Sequence, residues 1–328
     1  MENSSPLKVA VWRYDRTQAL FDGRIRLQNR AWDLIDAPLE ELFSRAFEHA
    51  EFDVAELSFS NFLRLSVAGK CPYLGIPVFP SRSFRHGAFY VRNGSGIKSP
   101  KDLIGRRVGV REYSMTAAVA ARGALRDQFG IQAGDLQWIM GDVDHVERTH
   151  IFLPQLYKDI NLKVAPRDTL LETMLLEGDI DALVAYKPFS AFKAGDPRVS
   201  RLFPDFSTVE EAYFKEAGIF PIMHLMAVRK DLAESAPELV QDIYRAFADA
   251  QQVAIEDLHV EQALKISLPW LAREVRRTTE VMGSDFWPAG FKKNQHVLDR
   301  MISWSFEDGL IPEKVPASDL FASCVLGT

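Results

Sequence analysis

Arg82, Arg85 and His86 fall within five residues of one another in Pro80-Ser81-Arg82-Ser83-Phe84-Arg85-His86, directly after the apolar run Leu74–Phe79. A guanidinium offers a planar fork of donors that matches a carboxylate, and an imidazole carries protons near neutral pH. The apolar run reads as a buried strand. The charged residues therefore sit where a strand empties into a loop, which is where open α/β sheets collect ligands. A solvated basic loop with an incidental histidine is the plainer reading of this segment taken alone.

Three further loops share its character. Arg13-Tyr14-Asp15-Arg16 follows the apolar Lys8–Trp12, and Ser58-Phe59-Ser60-Asn61 follows Phe52–Leu57. Arg111-Glu112-Tyr113-Ser114-Met115-Thr116 follows Arg106–Val110 and opens a helix. A helix start presents free N–H groups and the positive end of its dipole, so it favours a carboxylate or phosphate. Arg13, Arg16, Arg82, Arg85 and Arg111 are the candidate carboxylate anchors. Tyr14, Tyr113, Ser58, Ser60, Ser114 and Thr116 are candidates for binding hydroxyls or a carboxylate. Ser114 as a simple helix cap is the plainer alternative.

His224 closes Pro221-Ile222-Met223-His224 inside an apolar run. There it reads as a satisfied core residue or, at a ligand-facing edge, as a second proton carrier beside His86. His86, His224 and Glu112 would make a metal set, but no ligand spacing supports one, and no metal is expected. No GxGxxG, Walker, GxSxG or HExxH motif stands in a supporting context, so no organic cofactor is expected either. Phe286-Trp287-Pro288 and Leu268-Pro269-Trp270 read as packing anchors.

The elements that must position these residues follow from periodicity. Strands are predicted over Lys8–Trp12, Phe52–Leu57 and Leu74–Phe79, with helices over 39–47 and 62–68 between them. This β-α-β-α-β series predicts a parallel sheet. After Asn93-Gly94-Ser95-Gly96 the pattern restarts. Strands are predicted over His86–Arg92, Arg106–Val110, Leu136–Met140, Ile180–Ala185 and Val199–Phe203. Helices are predicted from Met115 to Phe129 and after a capping Asp168, ending at Gly178. Arg148–Lys163 fits no regular pattern. Ile219–Val228 carries the chain back to the first lobe, and helices follow from Pro237, over Val260–Ala272 and over Gln295–Phe306. The expected architecture is α/β with two lobes and a ligand cleft between them. Lobe 1 is expected to hold residues 1–90 and 224–328, and lobe 2 residues 91–223.

Composition excludes several classes. The 328 residues are 47% hydrophobic and 26% charged with a net charge of −6, ordinary for a globular protein and unsuited to binding nucleic acid or an anionic membrane. The N-terminus lacks the pattern of a secretory signal, no apolar run is long enough to span a membrane, and Cys71 and Cys324 suit a reducing cytosol. A cytoplasmic protein is expected.

Several of these segments resemble one family. Arg13-Tyr14-Asp15-Arg16-Thr17 with Asp22-Gly23, Phe52 to Ser58, Ile76 to His86 and Gly109 to Ala117 resemble the 4,5-dihydroxyphthalate decarboxylase family. Gly218 to His224 and Met282-Gly283-Ser284-Asp285-Phe286-Trp287-Pro288 continue the likeness. The resemblance implies a cytoplasmic relative of type II periplasmic binding proteins. It also implies conversion of 4,5-dihydroxyphthalate to protocatechuate and carbon dioxide. The yeast-type thiamine-pyrimidine synthases, on the same fold, look to carry a cysteine-rich motif that two cysteines cannot supply.

Such a substrate is an aromatic dicarboxylate whose carboxylates each lie para to a hydroxyl. The reaction needs a carboxylate anchor, a base at the hydroxyl and an acid at the ipso carbon. The phenol is its own electron sink, so cofactor-independent chemistry is expected, with His86 and His224 moving protons. A homo-oligomer is expected. The competing class is a non-catalytic solute-binding protein for an aromatic carboxylate.

Overall fold

The computed structural model describes residues 5–28, 30–146 and 153–328. The chain divides into two compact units. The first holds Met1–Arg82, Ile222–Leu298 and Pro316–Thr328, and the second holds Ser83–Pro221 and Asp299–Val315. Residues 83–90 and 299–315 thus group with the second unit, where the sequence pattern suggests lobe 1.

The first unit opens with β1 (Leu7–Ala10), α1 (Asp15–Phe21), β2 (Trp32–Ile35), α2 (Leu39–His49), β3 (Val54–Ser58), α3 (Phe59–Val67) and β4 (Tyr73–Arg82). The second unit continues with β5 (Phe89–Arg92), β6 (Arg107–Val110), α4 (Thr116–Phe129), β7 (Gln137–Met140) and β8 (Leu162–Val164). It is completed by α5 (Leu171–Glu177), β9 (Ala182–Val184), α6 (Ser190–Lys193), β10 (Val199–Arg201) and α7 (Phe206–Ala217). The chain then returns through β11 (Ile222–Arg229), α8 (Lys230–Ser235), α9 (Pro237–Leu258) and α10 (Leu271–Met282). The border between the units falls inside α11 (Phe291–Glu307).

The first sheet has the order β2-β1-β3-β11-β4. β1 runs parallel to β2 and β3, as the alternating pattern predicts. The returning β11 differs: it inserts antiparallel between β3 and β4. Its N-terminal end therefore shares an edge with the C-terminal ends of β3 and β4. On α9, Val240, Ile243, Phe247, Ala250 and Ala254 recur at helical spacing and are buried, and α9 packs on α1. Their core takes in Val9, Val54, Val78 and Met226 from the sheet.

The second sheet has the order β10-β5-β9-β6-β7-β8. Its centre is parallel, β9 with β6 and β6 with β7, while β5 runs antiparallel to both β9 and β10. Residues 299–315 are fastened to α4 by charge. Arg122 Nε and Arg126 Nη2 donate to the fully buried Asp308 at 2.6 and 2.8 Å. Trp304 lies so close to Gly123 that a Cβ there would stand 2.3 Å from its ring.

Several boundaries depart from the pattern. Met115, not Ser114, is the residue before α4, because the Ser114 hydroxyl donates sideways to Glu112 Oε1 at 2.6 Å. Asp168 has φ 65°, a turn conformation rather than a cap, and Leu170 precedes α5. No helix covers 260–270, where Pro269 would break one, and α10 starts after it. Trp270 is 67% exposed, so it is not the buried packing anchor expected of it. α1, β2 and α7 lack a strong pattern and are additions. Of the unplaced Arg148–Lys163, residues 148–152 lie outside the described ones, and its end enters β8.

Candidate functional site

The site is built where β4 breaks register. Ile222 pairs with Arg82 and His224 with Ser81, but Met226 pairs with Ile76. Two residues of β11 thus span five of β4, and Pro77–Pro80 bulges out of the ladder. Prolines at 77 and 80 have no N–H to lose, so the bulge is tolerated. Its carbonyls find other donors. Gly290 N donates to Pro77 O at 2.8 Å, Trp287 Nε1 to Phe79 O at 2.9 Å, and Arg16 Nε to Pro80 O.

The bulge sets Ser81 beside His224, while on the other flank His224 pairs with Ser58. Ser58 also precedes the first turn of α3. A histidine, two serines and a helix N-terminus are thereby gathered at one edge of the first sheet.

Glu56 completes this edge. It lies in β3 two residues before Ser58, on the same side of the strand, and is fully buried. Its Oε1 lies 2.7 Å from His224 Nδ1 and accepts from the Tyr14 hydroxyl at 2.7 Å. Its Oε2 accepts from Trp12 N at 3.0 Å. Burial and the nearby Glu56 charge push the Tyr14 phenol well above its usual range, against smaller opposing effects of Arg16 and the Ser81 hydroxyl. Tyr14 is therefore a protonated donor to the carboxylate. The Phe43 ring meets His224 edge-on at 5.0 Å between centroids.

The arginines of this unit separate. Arg16 packs its guanidinium over the rings of Tyr14 and Trp287, at 4.1 and 4.5 Å from their centroids. Arg13 lies exposed beside Asp36 at 3.7 Å. Arg82 is buried, donating to Asn294 Oδ1 and, at 3.2 Å, to Pro288 O. Burial works against its charge, yet a guanidinium stays protonated.

In the second unit, Arg111 and Asp142 stand at the C-terminal ends of β6 and β7, with Arg111 Nη2 3.3 Å from Asp142 Oδ1. Thr116 begins α4 nearby in the chain. Tyr113 is a core residue. Its hydroxyl donates to Asp308 O at 3.1 Å beneath the Arg122 guanidinium, and burial raises its pKa. His86 lies outside any strand, in the 3₁₀ turn His86–Ala88, and is 1% exposed. Its Nε2 meets Gln128 Oε1 at 2.7 Å, and Phe203 and Tyr213 flank its ring. Burial lowers its pKa. Arg85 Nη1 donates weakly to Tyr186 O at 3.4 Å, and burial lowers its pKa to about 10.

The structure thus brings Tyr14, Ser58 and His224 together and sets His86 among aromatic core side chains. Glu56 was not among the sequence candidates. Its signal was a carboxylate inside the apolar run Phe52–Leu57, where a charge needs partners. Among the described residues no three His, Cys, Asp or Glu side chains gather to hold a metal ion, and no helix is long and apolar enough to cross a membrane.

No protein-family model matches the chain. Over 318 residues it is 37% identical to the 4,5-dihydroxyphthalate decarboxylase of Comamonas testosteroni, across 96% of each chain. Over 203 residues it is 38% identical to the 4,5-dihydroxyphthalate decarboxylase of Pseudomonas putida, across 62% of this chain and 79% of that one. Among solved structures it resembles the periplasmic aliphatic sulphonate binding protein SsuA from Escherichia coli, with a TM-score of 0.53 at 16% identity over 97% of this chain and 92% of that one. It also resembles the desulfurization enzyme DSZB, with a TM-score of 0.52 at 15% identity over 96% of each. At such identities these likenesses establish the fold, a periplasmic-binding-protein-like α/β architecture.

Proposed function

The chain belongs to the 4,5-dihydroxyphthalate decarboxylase family, and on that footing we propose that it converts 4,5-dihydroxyphthalate to protocatechuate and carbon dioxide in phthalate breakdown. It acts as a carboxy-lyase on a small aromatic dicarboxylate in the cytoplasm.

The observation that carries the residue-level reading is His224, held by Glu56 at the edge where β3, β11 and β4 meet. With Nδ1 turned to the carboxylate, Nε2 is the ring atom left to take a proton. His224 accepts the proton of the hydroxyl para to the departing carboxylate, and the ring's electrons move toward the ipso carbon. That carbon takes up a proton, giving a keto tautomer. The C–C bond to the carboxylate then breaks, carbon dioxide leaves, and the electron pair restores aromaticity as a phenolate. His224 returns its proton to the phenolate, so the net change is one proton from solvent for one carbon dioxide. The phenol supplies the electron sink, and no organic cofactor enters the scheme.

For the carboxylates, the first turn of α3 with Ser58 and Ser60 offers N–H and hydroxyl donors beside His224, and Arg16 adds positive charge. In the second unit, Arg111 and the helix start at Thr116, with Ser114 beside them in the chain, make an anion-binding set of their own. His86, enclosed by Gln128, Phe203 and Tyr213, serves packing in this reading, and so do Tyr113 and Arg82.

Purified, chelator-treated protein incubated with 4,5-dihydroxyphthalate tests the reading. Carbon dioxide and protocatechuate should appear in equal amounts, and in D2O the product should carry one deuterium at the new C–H. Tight binding without carbon dioxide release would overturn it in favour of a solute-binding protein.

A further inference from the structure

We propose that Glu56 is the positioning residue of this site. Its buried carboxylate fixes His224 as the Nδ1–H tautomer and directs Nε2 at the substrate, with Tyr14 and Trp12 holding the carboxylate still. The inference rests on the decarboxylase reading for its kinetic arm only.

Glu56 occupies a strand position whose neighbour two residues back, Val54, belongs to an apolar core. A bare carboxylate there would be strongly disfavoured. It is accommodated because the Tyr14 hydroxyl donates to Oε1 and Trp12 N to Oε2, while His224 Nδ1 lies 2.7 Å from Oε1. Both Tyr14 and Trp12 come from the chain leaving β1, and His224 comes from β11, so the carboxylate is gripped from two sides. An ionised carboxylate only accepts, so the nitrogen facing it must carry the proton. A neutral imidazole protonated at Nδ1 has its lone pair on Nε2. The charged and titratable groups facing the pair are Tyr14 and, over its ring, Arg16. Arg16 is engaged by Asp15 Oδ1 at 2.8 Å and by the Pro80 carbonyl.

The tautomer is read without substrate, by long-range 1H–15N correlation on 15N-histidine-labelled protein, with the His224→Asn spectrum giving the assignment. In the neutral ring, wild-type His224 should be protonated at Nδ1 and bare at Nε2, and Glu56→Gln should give a mixture of tautomers. With 4,5-dihydroxyphthalate, Glu56→Gln should lower kcat by about 100-fold while KM stays within about threefold, the pattern of impaired proton transfer. Glu56→Asp keeps the charge and should recover about a tenth of the wild-type rate. Should Glu56→Gln fail to fold, Tyr14→Phe, which removes one donor, should still lower kcat about tenfold at unchanged KM. A wild-type His224 protonated at Nε2 in the neutral ring would overturn the inference. So would a folded Glu56→Gln protein with the wild-type tautomer and kcat. Wild-type protein that shows the Nδ1–H tautomer but releases no carbon dioxide would leave the positioning intact and sink the decarboxylase reading instead.

Discussion

Trp287 donates its indole N–H to the carbonyl of Phe79 at 2.9 Å, tying the turn after α10 to the bulged stretch of β4. The bulge places Ser81 beside His224, so a tryptophan more than 200 residues downstream of β4 helps shape the edge that holds the candidate base. The indole also lies under Arg16, which caps the next bulged carbonyl, Pro80 O.

Trp287→Phe keeps an aromatic ring but leaves Phe79 O without its donor. The variant should lose about 1–3 kcal/mol of stability, read by urea unfolding. Equal stability of the variant and wild type would mean that the bulge is held by its other contacts alone.

The two histidines should behave differently. His224→Asn should fold normally and lose at least about 100-fold in kcat with modest change in KM. His86→Asn removes a ring packed between Phe203 and Tyr213, so it should lower the melting temperature while the folded fraction keeps near-normal kcat. Circular dichroism melts with carbon dioxide assays separate the two. A stable His86→Asn protein with severely reduced kcat would return His86 to the chemistry.

Arg111→Ala and Arg82→Ala should also part. Arg111→Ala should raise KM by about 30-fold or more if the guanidinium anchors a desolvated carboxylate, with Arg111→Lys a poor substitute. Arg82→Ala strips Asn294 and Pro288 O of a buried donor, so its effect should appear as about 1–3 kcal/mol of lost stability. Isothermal titration and denaturant unfolding on both variants decide the matter.

Glu210 should give the second unit a pH dependence. Burial raises its pKa from 4.5 to about 6. The folded state therefore holds this proton more tightly than the unfolded one. The stability it contributes is full below about pH 4.5 and is lost as pH rises through about 6. His86 acts in the opposite sense: burial lowers its pKa, so its contribution is present above 6.5 and lost as pH falls through its folded value. Glu210→Gln removes the first effect. Its stability relative to wild type should grow by at most about 2 kcal/mol between pH 4.5 and 7. Parallel curves of unfolding free energy against pH would contradict this.

Gly123→Ala probes the clasp of residues 299–315 on α4. A Cβ would meet the Trp304 ring at 2.3 Å, so the helix or the ring must shift, at a cost of about 1–3 kcal/mol despite the better helix propensity of alanine. Unchanged or raised thermal stability would show that the ring yields freely.

The sequence by itself determined the class of fold and most of the elements. Apolar runs such as Leu74–Phe79 and helical stripes such as Val240, Ile243 and Phe247 are local signals, set by strand and helix periods. Four polar loops at strand ends were legible for the same reason, and the motifs within them resembled the right family. Tertiary structure alone decided how those residues are used. That β11 runs antiparallel between β3 and β4 is a long-range pairing, and it is what sets His224 between Ser58 and Ser81. Glu56 became a candidate only where Tyr14, Trp12 and His224, all distant from it in the chain, met at its buried carboxylate. His86, next to Arg85 and four residues after Arg82 in sequence, was drawn into the core by Phe203 and Tyr213, because burial is decided by distant packing and not by neighbours along the chain.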